Sequence, residues 1–251
     1  MKIFCGPGEM KHELSRCTDK EIGLMPTMGA LHEGHISLIK KSIAENDITV
    51  VSVFVNPTQF NDPEDLKKYP INLDKDISIL ESLNVDYLFT PEHNLLYNDN
   101  YSYRILETNF SKELCGAQRE GHFEGVLTVV MKLVNIVNPH RAYFGEKDFQ
   151  QYKLIKGMSE AFFMNVEIIS SPTIREKDGL ALSSRNLLLS GNDRKKAVKF
   201  PELLMSGQSD EEVNSQLEEE GFKVDYIKTL DGRRFGAVIL GNVRLIDNVK
   251  K

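Results

Sequence analysis

An α/β fold is what this sequence predicts: a doubly wound parallel sheet over residues 1–173 and a smaller α+β domain over 174–251. Three observations carry the prediction. Ile48-Thr-Val-Val-Ser-Val-Phe-Val55 is almost all apolar and β-branched, and a strand apolar on both faces belongs in a buried, usually parallel, sheet. Strand-like runs alternate with helical periodicity from Ile22 to Ser170, the rhythm of parallel strands joined by right-handed crossovers. After Pro172 the rhythm stops and charge and serine take over.

Taken in order, Ile22 to Met25 is a short apolar strand that runs into Pro26. A helix is expected from Gly34 to Ala44, with Ile36, Ile39 and Ile43 on one face. The strand Ile48 to Val55 follows, then a helix over Asp74 to Leu83 and a strand over Val85 to Phe89. Gly125 to Val137 reads as a helix closed by Pro139. Arg141 to Phe144 is a strand, Asp148 can cap the helix running towards Phe163, and Val166 to Ser170 is the next strand. In the smaller domain, Ser190 to Lys199 and Ser209 to Glu220 look helical. Lys223 to Leu230 and Ala237 to Ile246 look like strands, separated by Asp231-Gly232. The alternation makes the larger domain Rossmann-like.

Composition removes several functions. The chain has 251 residues, 31 basic against 37 acidic, and a net charge of −6, which disfavours general nucleic-acid binding. Its longest apolar candidate, Val126 to Val137, is interrupted by Lys132 and falls short of a membrane span. The first residues lack the apolar stretch of a secretion signal. Three scattered cysteines, Cys5, Cys17 and Cys115, form neither a disulfide framework nor a CxxC site, so a reducing cytoplasm is expected.

The unusual residues cluster at strand ends, where open α/β sheets bind ligands. Pro26-Thr-Met-Gly-Ala-Leu-His-Glu-Gly-His35 follows the first of these strands. There Gly29 permits close backbone approach, and a helix start offers N–H groups to phosphate. His32 and His35 are three apart and share a face, suited to donate hydrogen bonds to phosphate oxygens. The same pair could hold a metal, though no third ligand stands at a recognisable spacing, or could be structural. Asn56-Pro-Thr-Gln59 offers amides that can fix a small polar substrate or, equally, simply form a turn. Gly145-Glu-Lys147-Asp148 places a cation beside a helix start, or is an exposed turn. Arg175 to Asn186 combines cations with Ser183 and Ser184, as an anion clamp or a solvated linker would. Neither a GxxxxGK[ST] loop nor a GxGxxG fingerprint occurs.

Pro26 to His35, Val53 to Phe60, Phe123 to Val130, Phe144 to Gln151 and Arg175 to Asn186 together closely resemble the pantothenate synthetase (pantoate–β-alanine ligase) family. The similarity runs in order from Met1 to Asn186 and resumes at Val224-Asp-Tyr and Gly241 to Asn248. The His-x-Gly-His-type element alone would indicate only the wider HIGH-motif nucleotidyltransferase superfamily. The resemblance implies ATP-dependent ligation of pantoate and β-alanine through a pantoyl adenylate, releasing pyrophosphate and AMP. It also implies Mg²⁺ carried with ATP rather than held in a protein cage, no other metal, and a homodimer. By position, it implies ATP binding by Met28, Gly29, His32, His35, Gly145, Lys147, Asp148, Ile174 and Leu182. Ser183, Ser184 and Arg185 would close over the phosphates. Of these, His32, His35, Lys147, Ser183, Ser184 and Arg185 would be catalytic. Gln59 and Gln151 would hold pantoate, with Asn56 shaping that pocket. Leu182 stands where the family usually has Met, and the segment between Asn186 and Val224 reads as shorter than in relatives. Two other functions remain compatible: nucleotidyl transfer to a phosphorylated acceptor, for which paired amides have no use, and a nucleotide-sensing module without catalysis.

Overall fold

The computed structural model describes residues 1–251. Six strands form one parallel sheet: β1 (Lys2–Phe4), β2 (Ile22–Thr27), β3 (Ile48–Val53), β4 (Tyr87–Phe89), β5 (Arg141–Gly145) and β6 (Glu167–Ser171). Their order is β1-β4-β3-β2-β5-β6. From β2 the chain moves outward through β3 to β4 on one side, then crosses to β5 and β6 on the other. The order therefore reverses between β2 and β5, which opens a crevice at their carboxyl ends.

Both faces of the sheet are covered, as its apolar strands require. Successive side chains alternate: Leu24 and Val50 enter one core while Met25 and Val51 enter the other. The first core also holds residues of α1 (Pro7–Leu14), α4 (His122–Val137) and α5 (Phe149–Ala161). The second lies under α2 (Glu33–Glu45) and α3 (Leu73–Ser82). Leu24, Met25, Val50 and Val51 are fully buried, each worth about 1.5–3 kcal/mol. Helix α4 is apolar on most of its circumference because it is buried on most of it.

The C-terminal region forms a separate core that runs from Leu180 to Leu245. It joins α6 (Asp210–Glu219) and two shorter helices to the antiparallel strands β7 (Lys223–Leu230), β8 (Arg233–Leu240) and β9 (Val243–Lys250). Here the sequence reading needs correcting. The run Ala237 to Ile246 is not one strand; it turns at Gly241, whose φ of +59° suits the first position of a tight hairpin. Asp231 and Gly232 make the expected β7–β8 turn, both with positive φ. The Ser190 to Lys199 helix is a short one, Gly191–Lys196, capped by Ser190 and followed by a second, Lys199–Leu204. At the other end, β1 and α1 are additional elements. No helix is long and apolar enough to cross a membrane.

Candidate active site

The loop leaving β2 is held from outside itself. Asp76 of α3, 1% exposed, accepts hydrogen bonds from the backbone N–H of Ala30 (2.9 Å) and Leu31 (2.8 Å). Gly29 has φ +85°, and a Cβ there would stand 2.9 Å from the Asp76 carboxylate and 3.1 Å from Val53. Its glycine therefore makes room for the anchor, and Gly29 is absent from the cleft lining that Met28 joins.

His32 is the N-cap of α2, and its Nδ1 accepts from Gly34 N–H at 3.1 Å. His35 Nδ1 accepts from His32 N–H at 3.4 Å. The two rings stack with centroids 4.0 Å apart. Because Nδ1 accepts in both, a neutral ring must carry its proton on Nε2, leaving that N–H free to donate. Burial, with Lys147 nearby, holds His32 down to about 4. Burial, then His32 and Lys147, hold His35 down to about 3. Both are thus neutral donors at pH 7. No group of three Cys, His, Asp or Glu that could hold a metal occurs.

After β3, Gln59 lies in a single 3-10 turn against α4. The approach is so close that a Cβ on Gly125 would stand 2.5 Å from the Thr58 carbonyl oxygen. Asn56 is 1% exposed and committed to the protein: it donates to Gly125 O (3.1 Å) and Gln59 Oε1 (3.3 Å) and accepts from Thr58 and Tyr97 hydroxyls. Asn56 thus braces Gln59, whose amide in turn donates to Met28 Sδ. Two residues the sequence reading passed over stand behind them. Arg119 donates to Gln59 O at 3.2 Å and faces His122 Nε2 at 3.1 Å; His122 Nδ1 lies 2.8 Å from Gln59 O. Their signal was Arg119-Glu-Gly-His122, a cation and an imidazole just before a long apolar helix.

After β5, Glu146–Asp148 is another single 3-10 turn leading into α5. Asp148 occupies the N-cap position but makes no capping hydrogen bond, contrary to expectation. Its carboxylate stands 3.8 Å from Lys147 Nζ. Gln151 is half-buried, while its neighbour Gln150 is used internally by Cys115, Phe110 and Glu113. From the other side come Ile174, Leu182, Ser183, Ser184 and Arg185. Arg185 is held by Asp65 at 2.8 Å and lies 5.7 Å from the centre of the Tyr69 ring.

Every site residue expected from the sequence, except Gly29, lines one cleft of about 590 Å³ between the parallel sheet and the smaller domain. Its lining is mixed in charge, with Lys68, Arg119, Lys147, Arg185 and Arg244 set among Asp62, Glu64, Asp65, Asp148, Asp225 and Asp247. Arg119 has no carboxylate partner, and burial followed by repulsion from Arg185 and Arg244 lowers it to about 10. Guanidinium groups crowded in this way favour an anionic ligand between them.

A switch-point crevice flanked by paired imidazoles and a strand-end lysine, with no Walker loop, is the site of an α/β protein that binds its ligand at the carboxyl ends of the strands. Within that class one family accounts for the whole chain. The family model described as pantoate-beta-alanine ligase matches residues 2–250, and the chain belongs to that family of ligases. Pantothenate synthetase of Bdellovibrio bacteriovorus is 54% identical over 229 residues, 91% of each chain. That of Legionella pneumophila strain Lens is 48% identical over 249 residues, 99% of each. The crystal structure of the Francisella tularensis pantoate-beta-alanine ligase, complexed with beta-gamma ATP and beta-alanine, superposes with a TM-score of 0.94 at 46% identity. The match covers 100% of this chain and 97% of that one. The crystal structure of the Thermus thermophilus pantothenate synthetase gives 0.91 at 37%, with 100% and 99% covered. These end-to-end matches correct the expectation of a trimmed second domain: this chain is as long as these relatives.

Proposed function

We propose that the chain joins pantoate to β-alanine in two steps through a pantoyl adenylate. The observation that carries this reading is the division of the cleft. Cationic and N–H donors for phosphate (His32, His35, Lys147, Ser183–Arg185) meet two amides, Gln59 and Gln151, suited to a small hydroxy acid. A carboxylate does not react with an amine because its leaving group would be oxide. In the first step a pantoate carboxylate oxygen forms a bond to the ATP α-phosphorus and the bond to pyrophosphate breaks. In the second the β-alanine nitrogen attacks the acyl carbon, AMP departs and the amine loses a proton. No covalent nucleophile on the protein is needed.

The chain's own residues orient anions and stabilise developing charge. Gln59, braced by Asn56, and Gln151 hold pantoate. The Nε2–H groups of His32 and His35 donate to phosphate oxygens without adding net charge, and Lys147 neutralises the α-phosphate as pyrophosphate leaves. Met28, Gly145, Asp148, Ile174 and Leu182 form the nucleoside side, with Asp148 free to accept from the ribose. Gly29 acts one layer out, by shaping the loop. Ser183, Ser184 and Arg185 close over the phosphates, Arg185 exchanging Asp65 for phosphate. Mg²⁺ arrives on ATP and offsets its phosphate charge. A cleft rich in N–H donors with no cluster of three metal-ligating side chains suits an ion held by phosphate and water.

The same reading divides the chain after residue 173 and makes it a cytoplasmic homodimer. The three free cysteines agree with a reducing compartment. Light scattering tests the dimer. For the reaction, enzyme, MgATP and pantoate are mixed first and β-alanine is added later. One equivalent of pyrophosphate followed by AMP and pantothenate on adding the amine supports the proposal. AMP and pantothenate absent after β-alanine refutes it, and pyrophosphate formed only with a phosphorylated acceptor points to nucleotidyl transfer.

A further inference from the structure

The last strand of the small sheet carries two consecutive buried polar residues, Asp247 and Asn248, each 4% exposed. Neither is used in the chemistry above. The Asn248 side chain crosses to the large domain, and its Nδ2 donates to the backbone carbonyls of Glu146 (2.8 Å) and Lys147 (2.9 Å). Its Oδ1 accepts from Arg233, whose guanidinium lies 3.7 Å from the centre of the Phe149 ring and 3.4 Å from the Glu146 carboxylate. The turn bearing Lys147 is therefore gripped through its carbonyls and from both flanks.

Asp247 grips the opposite wall. Its two oxygens accept from Arg175 at 2.6 and 3.0 Å. Arg175 starts a hairpin closed by pairing with Ala181, and that hairpin leads directly into Leu182 and Ser183–Arg185. Asp247 Oδ1 also accepts the Asn248 N–H at 2.8 Å, so the two grips share an anchor. A buried charge and a buried amide satisfied on every side are costly to disturb. One dipeptide thus holds the lysine turn and the serine–arginine hairpin in fixed relation across the cleft.

We infer that Asp247 and Asn248 are positioning residues for adenylation, setting the spacing between Lys147 and Ser183–Arg185. The inference rests on the two-step reaction proposed above. The test compares full-length wild type, Asn248→Ala, Asn248→Asp and, as a control in the small-domain core, Val213→Ala. Single-turnover pyrophosphate release from MgATP and pantoate is measured together with Tm. Asn248→Ala should slow release about 10- to 100-fold, the loss expected of a misplaced reacting group, while the pantoate KM stays within about twofold. Asn248→Asp should be at least as slow, because a carboxylate cannot donate to two carbonyls. Val213→Ala should lower Tm and leave the rate near wild type. A wild-type rate for Asn248→Asp would overturn the inference, as would a loss in Asn248→Ala no greater than its unfolded fraction explains. If the wild type itself releases no pyrophosphate, the proposed reaction falls as well; if it does and Asn248→Ala keeps pace, only the positioning role falls.

Discussion

The segments that follow β2 and β5 meet at one cleft, and beyond the Asp76 anchor of the first loop their functional residues are held by opposite means. His32 and His35 are fixed mainly by their own helix start: each ring accepts a backbone N–H within three residues. Lys147 sits in a turn whose carbonyls are held from 101 and 102 residues away. Local capping sets a tautomer, which is a property of one ring. Long-range clamping sets a distance between domains, which no local motif can do. The site therefore divides a chemical task from a geometric one.

Five measurements sharpen or break this contrast. Lys147→Ala should have the largest effect, slowing adenylation about 10²- to 10³-fold, as loss of a preorganised charge-stabilising group does; near-normal pyrophosphate release would break it. Asp76→Ala comes next. It strands two buried N–H groups under the histidine loop and should cost about 1–3 kcal/mol in denaturant unfolding. An unchanged midpoint would mean that the loop is held by its own turn alone. Gln59→Ala should raise the pantoate KM about tenfold and leave the ATP KM nearly unmoved, which isolates the amide end of the cleft.

The smallest expected effect is an absence. Since His32 and His35 titrate near 4 and 3, adenylation should be level from about pH 8 to about pH 5, with no step near 6.5. An inflection near 6.5 would show that these rings act as cations. Stability should behave differently. The unfolded chain takes up imidazole protons near pH 6.5 and the folded one only near 3–4. The contribution of the buried neutral rings is therefore complete above pH 6.5 and is lost progressively as pH falls towards 3. Thermal unfolding from pH 7.5 to 4 would reveal this slope.

The same contrast explains what could be read from sequence. The parallel sheet was legible because Ile48 to Val53 and Ile22 to Met25 are apolar on both faces, a local property. The histidine pair was legible because a three-residue spacing is enough to place both rings on one helical turn. Lys2–Phe4 is too short to show a period, so β1 and the helix behind it stayed hidden. Gly241 looked like part of a strand because its role depends on φ rather than on hydrophobicity. The partners of Asn56 were not legible, because an amide advertises its valences but not who fills them; here Gly125, Gln59, Thr58 and Tyr97 do. Arg119 and Asp65 depend on contacts across about 60 to 120 residues, beyond any local pattern.

The unpaired Arg119 and its neighbours have a kinetic consequence. A molecule of net charge −6 repels a nucleotide polyphosphate at a distance, while Arg119, without a carboxylate partner, attracts it only at close range. Capture should therefore quicken as added salt screens the repulsion beyond about 10 Å at 0.1 M. The protein's acidity then slows the search and leaves recognition to the last few ångströms.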